Sequence, residues 1–293
     1  MPAPTEHRLR VAGGELCWFE WGTSSPDRPT ILLVHATGFH ARCWDQVVSA
    51  LPAGTHVVAP DLRGHGRSYR PASIANWAET GDDLLPLIDV LPAGPLIGAG
   101  HSMGGVCLVR AAAQRPGRFA RLVLIDPVIF GPEYYAEHQQ DVSDPDAHFV
   151  AKRRNHWASA AEMFERFAQR LPYSGWDPAV LADYCTHGLV ARADGDGHEL
   201  ACPPRLEASA YLGNAAFNPH AAAATIDCPV TVIRTRNGTR EGQFDFSLSP
   251  TWPGTASAFP DGTDLHWSDC THFIPMESPV RIASLFGTES LGP

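Results

Sequence analysis

Leu96-Ile97-Gly98-Ala99-Gly100-His101-Ser102-Met103-Gly104-Gly105 is the stretch whose reading decides the fold of this 293-residue chain. An apolar run enters a turn made of Gly100 to Gly104, and the helix-forming Val106 to Ala113 leaves it. Strand, sharp turn and helix in that order hold one serine at the apex, here Ser102, in a strained backbone conformation. Gly100 and Gly104 leave room for strand and helix to approach. The helix N-terminus beneath favours negative charge developing nearby. The five-residue pattern is weak by itself, because glycine and serine are common. An incidental serine in a glycine-rich turn is the bland alternative, and the partners elsewhere in the chain decide against it.

Outward from this turn the chain alternates apolar strands with helical stretches. Thr30–Val34 is a continuous apolar run, as expected for a strand buried on both faces of a parallel sheet. His56–Pro60, Pro95–Ala99, Arg121–Ile125 and Pro229–Ile233 share its character. Helices are expected over Trp44–Leu51, Ala75–Leu91 and Met103–Gln114, and a hairpin turns at Gly13-Gly14. The pattern predicts a doubly wound, mostly parallel α/β sheet. The rhythm breaks between Phe130 and Thr225, where helical segments dominate. One begins at Asp177-Pro178, an N-cap followed by a first-turn proline. Leu189–Cys202, around Asp194-Gly195-Asp196-Gly197, reads as a short hairpin. Residues 1–129 and 226–293 are therefore assigned to the core, and 130–225 to a mostly helical cap inserted after the sixth strand.

Composition narrows the function classes. Hydrophobic residues make up 44% of the chain, enough for a large core, and the net charge of −10 disfavours nucleic acid as a partner. No run reaches the ~18 apolar residues of a membrane helix, and the N-terminus lacks the apolar stretch of a signal peptide. The seven cysteines contain no C-x-x-C pair, so neither a zinc site nor a redox motif is expected. Reduced, buried thiols in a cytoplasmic protein are the expectation. No cofactor or metal is expected, the partner is a small-molecule substrate, and a homodimer is left open.

A serine hydroxyl needs a base, and the base an orienting acid. Of fourteen histidines, His272 in Asp269-Cys270-Thr271-His272-Phe273 stands out, since it follows the last expected strand, Thr263–Trp267. That puts it at the same sheet edge as Ser102. An oxyanion hole needs two convergent backbone N–H groups. Met103, directly after the serine, supplies one; His35-Ala36-Thr37-Gly38 supplies the other, with Thr37 as the donor.

With these motifs in hand, the chain resembles the α/β-hydrolase superfamily, in the subset with a helical cap. The residues that carry the resemblance are His35-Ala36-Thr37-Gly38, Asp61-Leu62-Arg63-Gly64-His65-Gly66-Arg67-Ser68, Gly100-His101-Ser102-Met103-Gly104 and Thr271-His272-Phe273. It covers almost the whole chain and is specific for the fold, far less so for the reaction. Two departures stand out. Ala36 takes the place of the usual oxyanion-loop glycine. Asn237-Gly238 stands where the family's acid usually follows the seventh strand. The resemblance implies a second solution, an acid at the end of the sixth strand, and Asp126 is there. Asp126 is preferred to Asp245 and Glu241 in the later loop. The Asp61–Ser68 stretch reads as a structural turn, with Arg63 and His65 as its candidates to face a pocket.

The resulting expectation is a serine hydrolase acting on a small or medium apolar ester or lactone through an acyl-enzyme. Ser102 attacks, His272 carries the proton and Asp126 orients His272. Carbon–carbon bond hydrolysis of a diketone by the same residues is the near alternative. A ligand receptor that kept the fold is the alternative from another class, and cofactor-free haloperoxidase activity is a further one. A serine at this position argues against dehalogenase and epoxide-hydrolase chemistry, where the resemblance implies an aspartate.

Overall fold

The computed structural model describes residues 3–138, 144–236 and 247–287. Eleven strands are present among them. Eight form one sheet: β1 (Thr5–Val11), β2 (Gly14–Trp21), β3 (Thr30–Val34), β4 (Val57–Pro60), β5 (Leu96–His101), β6 (Phe119–Ile125), β10 (Val230–Arg234) and β11 (Gly262–His266). Their order is β1-β2-β4-β3-β5-β6-β10-β11, and every pairing from β4 to β11 is parallel. β2 runs antiparallel to both neighbours and joins β1 through the glycine hairpin.

The central strands are apolar on both faces because both faces are covered. All residues of β3, β4 and β5 are buried. One layer of the core gathers Leu32, Val34, Leu84, Val106 and Leu122; the other gathers Ile31, Leu33, Trp44, Ile97 and Ile282. Alternate residues of one strand thus enter opposite layers, as the pleat requires.

The expected helix over Ala75–Leu91 is two helices, Trp77–Asp82 and Leu84–Val90. Pro86 explains the break. It has no N–H to donate to Asp82, so it is tolerated only near the start of a new helix, where that donor is unused. Asn76 caps the first helix by accepting from the Ala78 N–H. The Trp44–Leu51 helix begins as a tight 3₁₀ turn over Ala41–Trp44, and its α-helical part is Asp45–Ser49.

Between β6 and β10 the chain leaves the sheet. Helices span Pro132–His138, Ala160–Ala168, Pro178–His187 and Pro204–Leu212. The hairpin expected around Asp194–Gly197 is present as β8 (Leu189–Ala191) and β9 (His198–Leu200). A third strand, β7 (His156–Trp157), pairs with β9, an element the sequence did not announce because two residues carry no periodicity. These elements pack over the core through a mixed cluster. Trp157, Met163, Trp176, Leu181 and Tyr184 meet Ala36, Phe39, Phe273 and Met276. Among the described residues no helix is long and apolar enough to cross a membrane. All seven cysteines are free and buried.

Candidate active site

The site gathers at one edge of the sheet, where the chain leaves the neighbouring strands β5 and β6 and where the loop follows β11. β5 ends at His101, and Ser102 turns the chain into the Met103–Ala113 helix with φ 56° and ψ −122°. This conformation is strained for an L-residue. Gly100 and Gly104 are required for packing: a Cβ on Gly100 would collide with the Gly104 backbone, and one on Gly104 with the Val34 and His35 carbonyls. β6, adjacent to β5, ends at Ile125, and Asp126 follows it, also at positive φ (42°). His272 lies beyond β11.

These residues form a continuous chain of hydrogen bonds. His272 Nδ1 is 2.7 Å from Asp126 Oδ2, and His272 Nε2 is 3.1 Å from Ser102 Oγ. The carboxylate only accepts, so Nδ1 carries the proton and Nε2 is left to accept from the Ser102 hydroxyl. Asp126 is wholly buried, which alone would raise its pKa. The His272 contact, with Ser249 and Thr235, overcomes that and leaves it below the ordinary carboxylate value. Thr235 N–H and Oγ1 donate to it at 3.3 and 3.2 Å and Ser249 Oγ donates to it, while Thr251 Oγ1 lies 3.2 Å from it and 2.6 Å from the Pro127 carbonyl, between which its one proton is shared.

Those hydroxyls are the residues that sequence reasoning missed. A buried carboxylate needs donors, but nothing in the sequence says which hydroxyls supply them. The alternative acids Glu241 and Asp245, with Asn237-Gly238, lie outside the described residues.

His101 Nε2 lies 2.8 Å from the His272 carbonyl. A carbonyl only accepts, so His101 donates, tying the base's backbone to the elbow. Burial pushes the His101 pKa down to about 3, which keeps it neutral.

The oxyanion loop lies after β3. Gly38, at φ 80°, is its left-handed residue, and a side chain there would also strike the Glu207 carboxylate. Ala36 is not at positive φ, so the alanine replaces glycine without strain. Thr37 Oγ1 approaches Met103 Sδ at 3.3 Å, linking the two expected oxyanion donors. Met103 is the first residue of its helix, where the N–H has no intrahelical acceptor.

Arg63 and His65 are held by neighbouring residues and are not part of the aromatic pocket above the oxyanion loop. Arg63 is held by Asp83 (2.7 Å) and Glu79 (2.9 Å), because a buried guanidinium needs acceptors. His65 Nε2 accepts from the Gly38 N–H at 3.0 Å, and His35 Nε2 from the Leu62 N–H at 2.9 Å. Both imidazoles therefore shape the oxyanion loop from below. Desolvation holds the pKa of His65 down at about 4 and puts that of His35 well below the usual value.

Above the loop is a pocket of about 240 Å³. Thr37 and Phe273 form its edge on the site's side, and Phe39, Tyr173, Trp176 and Tyr184 form aromatic walls. The rings interlock, with Phe39 5.4 Å from Tyr184 and 5.7 Å from Trp176. Arg153 and Glu207 bring the charge into it. Of the described His, Cys, Asp and Glu residues, Asp45, Asp183 and His187 alone bring three donor atoms within 4.8 Å of one another. Arg42 already binds Asp45 there, and Gln46 binds Asp183.

With this geometry in view, a family model described as "Alpha/beta hydrolase family" matches residues 31–285. The chain belongs to the α/β-hydrolase family. It is 28% identical to lipase LipV of Mycobacterium tuberculosis over 276 residues, 93% of this chain and 96% of that protein. It is 32% identical to esterase Rv0045c of the same organism, over 136 residues that cover 44% of this chain and 42% of that one. The solved enol-lactonase of Burkholderia xenovorans superposes with a TM-score of 0.65 at 22% identity, covering 95% of this chain and 97% of that one. A chain with this membership and these esterase and lipase relatives is an α/β-hydrolase enzyme.

Proposed function

We propose that the protein is a serine hydrolase that cleaves a small or medium apolar ester or lactone through an acyl-enzyme. The observation that carries the proposal is the relay Ser102 Oγ–His272 Nε2–Asp126, at 3.1 and 2.7 Å, next to an aromatic pocket. In this reading Ser102 attacks the carbonyl carbon as its proton passes to His272 Nε2. The Thr37 and Met103 amides hold the oxyanion. Collapse breaks the carbonyl–oxygen bond, and the leaving alcoholate takes the proton from His272. A water then repeats the sequence and frees the acid. Asp126 fixes the tautomer and stabilises the imidazolium.

The pocket supports the substrate class. Its 240 Å³ is near the small end for ligand sites, and its walls are aromatic. The segment 130–225 acts as the cap that sets specificity, because it supplies Tyr173, Trp176 and Tyr184. The lipase, esterase and enol-lactonase relatives agree with ester or lactone chemistry. The test is a series of p-nitrophenyl esters from acetate to palmitate, together with simple lactones. Highest kcat/KM at short chain length, abolished in Ser102→Ala, is expected. Turnover retained in folded Ser102→Ala, or a maximum at palmitate, overturns the reading.

A further inference from the structure

Within the aromatic pocket, Arg153 and Glu207 form an ion pair through Nη1 and Oε2. Arg153 Nη2 donates to the Tyr184 hydroxyl at 3.1 Å. Glu207 is buried at 3% exposure, and Arg153 retains 24% of its side-chain surface. The other Glu207 oxygen, Oε1, abuts Gly38, the residue after Thr37. Consecutive Cα atoms are ~3.8 Å apart, so that oxygen is within roughly 10 Å of the Thr37 amide. An ion pair is a costly thing to place in an apolar cavity, and hydrophobic residues would seal it as well. It lines the same pocket as Thr37.

The pair's charges cancel, which decides what it recognises. One guanidinium edge still donates and one carboxylate oxygen still accepts. A neutral group that both accepts and donates satisfies both. A carboxylate would make two anions share one guanidinium. Burial already raises the Glu207 carboxyl, with Arg153 opposing, and a second anion would raise it further.

We propose that Arg153 and Glu207 are specificity-determining residues that select esters or lactones bearing a neutral hydroxyl or amide group near the scissile carbonyl, and reject a carboxylate there. This rests on the hydrolase reading above. Sites built to hydrogen-bond a substrate hydroxyl discriminate against analogues that lack it.

The experiment compares matched substrates on both sides of the ester. On the acyl side they are p-nitrophenyl butyrate, 3-hydroxybutyrate and hemisuccinate. On the alcohol side they are propyl, 3-hydroxypropyl and 2-carboxyethyl acetate. On the side that enters the pocket, the hydroxylated ester should exceed the unsubstituted one in kcat/KM by at least ~10-fold, and the carboxylated one should be slowest. Glu207→Gln keeps shape and one hydrogen bond but uncovers the Arg153 charge. It should raise the carboxylated-to-hydroxylated ratio by at least ~10-fold. Arg153→Gln should erase the hydroxyl preference without admitting the carboxylate. Thermal unfolding of each variant reports folding, and the wild-type ranking stands as a test without them. A carboxylated substrate preferred by the wild type, or rankings equal within ~2-fold on both sides, overturns the proposal. Fluorophosphonate labelling of Ser102 separates the two readings. A labelled enzyme with the wrong ranking sinks the specificity claim alone, whereas absence of both labelling and turnover sinks the hydrolase reading beneath it.

Discussion

Ser102 and Asp126 follow adjacent positions at the ends of neighbouring strands, and they are the two non-glycine residues of positive φ among the described residues. The Ser102 N–H donates to the Ile125 carbonyl at 3.0 Å, so the two turns are stitched together. Backbone strain of ~1–3 kcal/mol per residue is concentrated where the relay begins and ends. Ser102→Gly should therefore be more stable than Ser102→Ala by about 1 kcal/mol, since glycine tolerates φ 56°. Urea midpoints of the two inactive variants measure this, and a less stable glycine variant contradicts strain at the elbow.

The oxyanion loop gives a contrasting pair. Ala36→Gly should leave kcat within ~3-fold of wild type, because Ala36 needs no special backbone. Gly38→Ala places a Cβ at φ 80° and against Glu207. It should cost at least ~1–3 kcal/mol of stability, or a comparable fall in kcat if the loop shifts. Unfolding curves and steady-state rates check both, and equal tolerance at the two positions refutes this assignment of the loop's left-handed residue.

The donors around Asp126 should tune the relay without replacing it. Thr251→Val removes a hydroxyl that lies 3.2 Å from Asp126 and 2.6 Å from the Pro127 carbonyl, and Ser249→Ala removes a bond to Asp126. Each should lower kcat by about 10-fold or less, with Ser102 still labelled, because other donors remain. The double variant should lose more than the sum in free energy, since the last donors would then face a buried charge. Strict additivity would show that these hydroxyls do not share one network.

Acid should destabilise the protein from about pH 6.5 downward. Burial lowers His40 and His101 to about 3 and His65 to about 4, from 6.5. Below pH 6.5 the unfolded chain binds protons that the folded one refuses, so stability falls as pH falls toward those folded values. Burial also raises Asp61 and Asp183 to about 6, and these oppose, adding stability as pH drops from 6 toward 3.8. Three histidines, each worth up to ~2 kcal/mol at pH 5, outweigh them. The urea midpoint should be lower at pH 5.0 than at pH 7.5; a midpoint that holds or rises contradicts neutral burial of these imidazoles.

Much of this was legible because the sheet is parallel. Buried strands such as Thr30–Val34 are uninterrupted apolar runs, and the glycines around Ser102 mark a close approach that only a strand–helix turn demands. Asp126 was legible through the resemblance, which implies a second place for the acid at the end of the sixth strand, with Asp245 and Glu241 as alternatives. Its hydroxyl donors were not legible, because Thr235, Ser249 and Thr251 look like ordinary loop residues until folding brings them, from 109 to 125 positions along the chain, to their partner. The Arg153–Glu207 pair was invisible for the same reason, as were the supporting roles of His35 and His65. Arg63 and His65 have the right chemistry for a pocket, and only their tertiary partners reveal where they point.

The identity of the acid is the most direct test of the relay. Asp126→Asn preserves size and most hydrogen bonds while removing the charge and favouring the wrong His272 tautomer. Losses from such a change reach about 10⁴-fold in a well-studied triad protease. Measured as kcat on the best short-chain ester, Asp126→Asn should lose at least ~100-fold, while Asp245→Asn and Glu241→Gln each lose less than ~10-fold. A crippled Asp245→Asn or Glu241→Gln beside a folded, active Asp126→Asn would contradict the account.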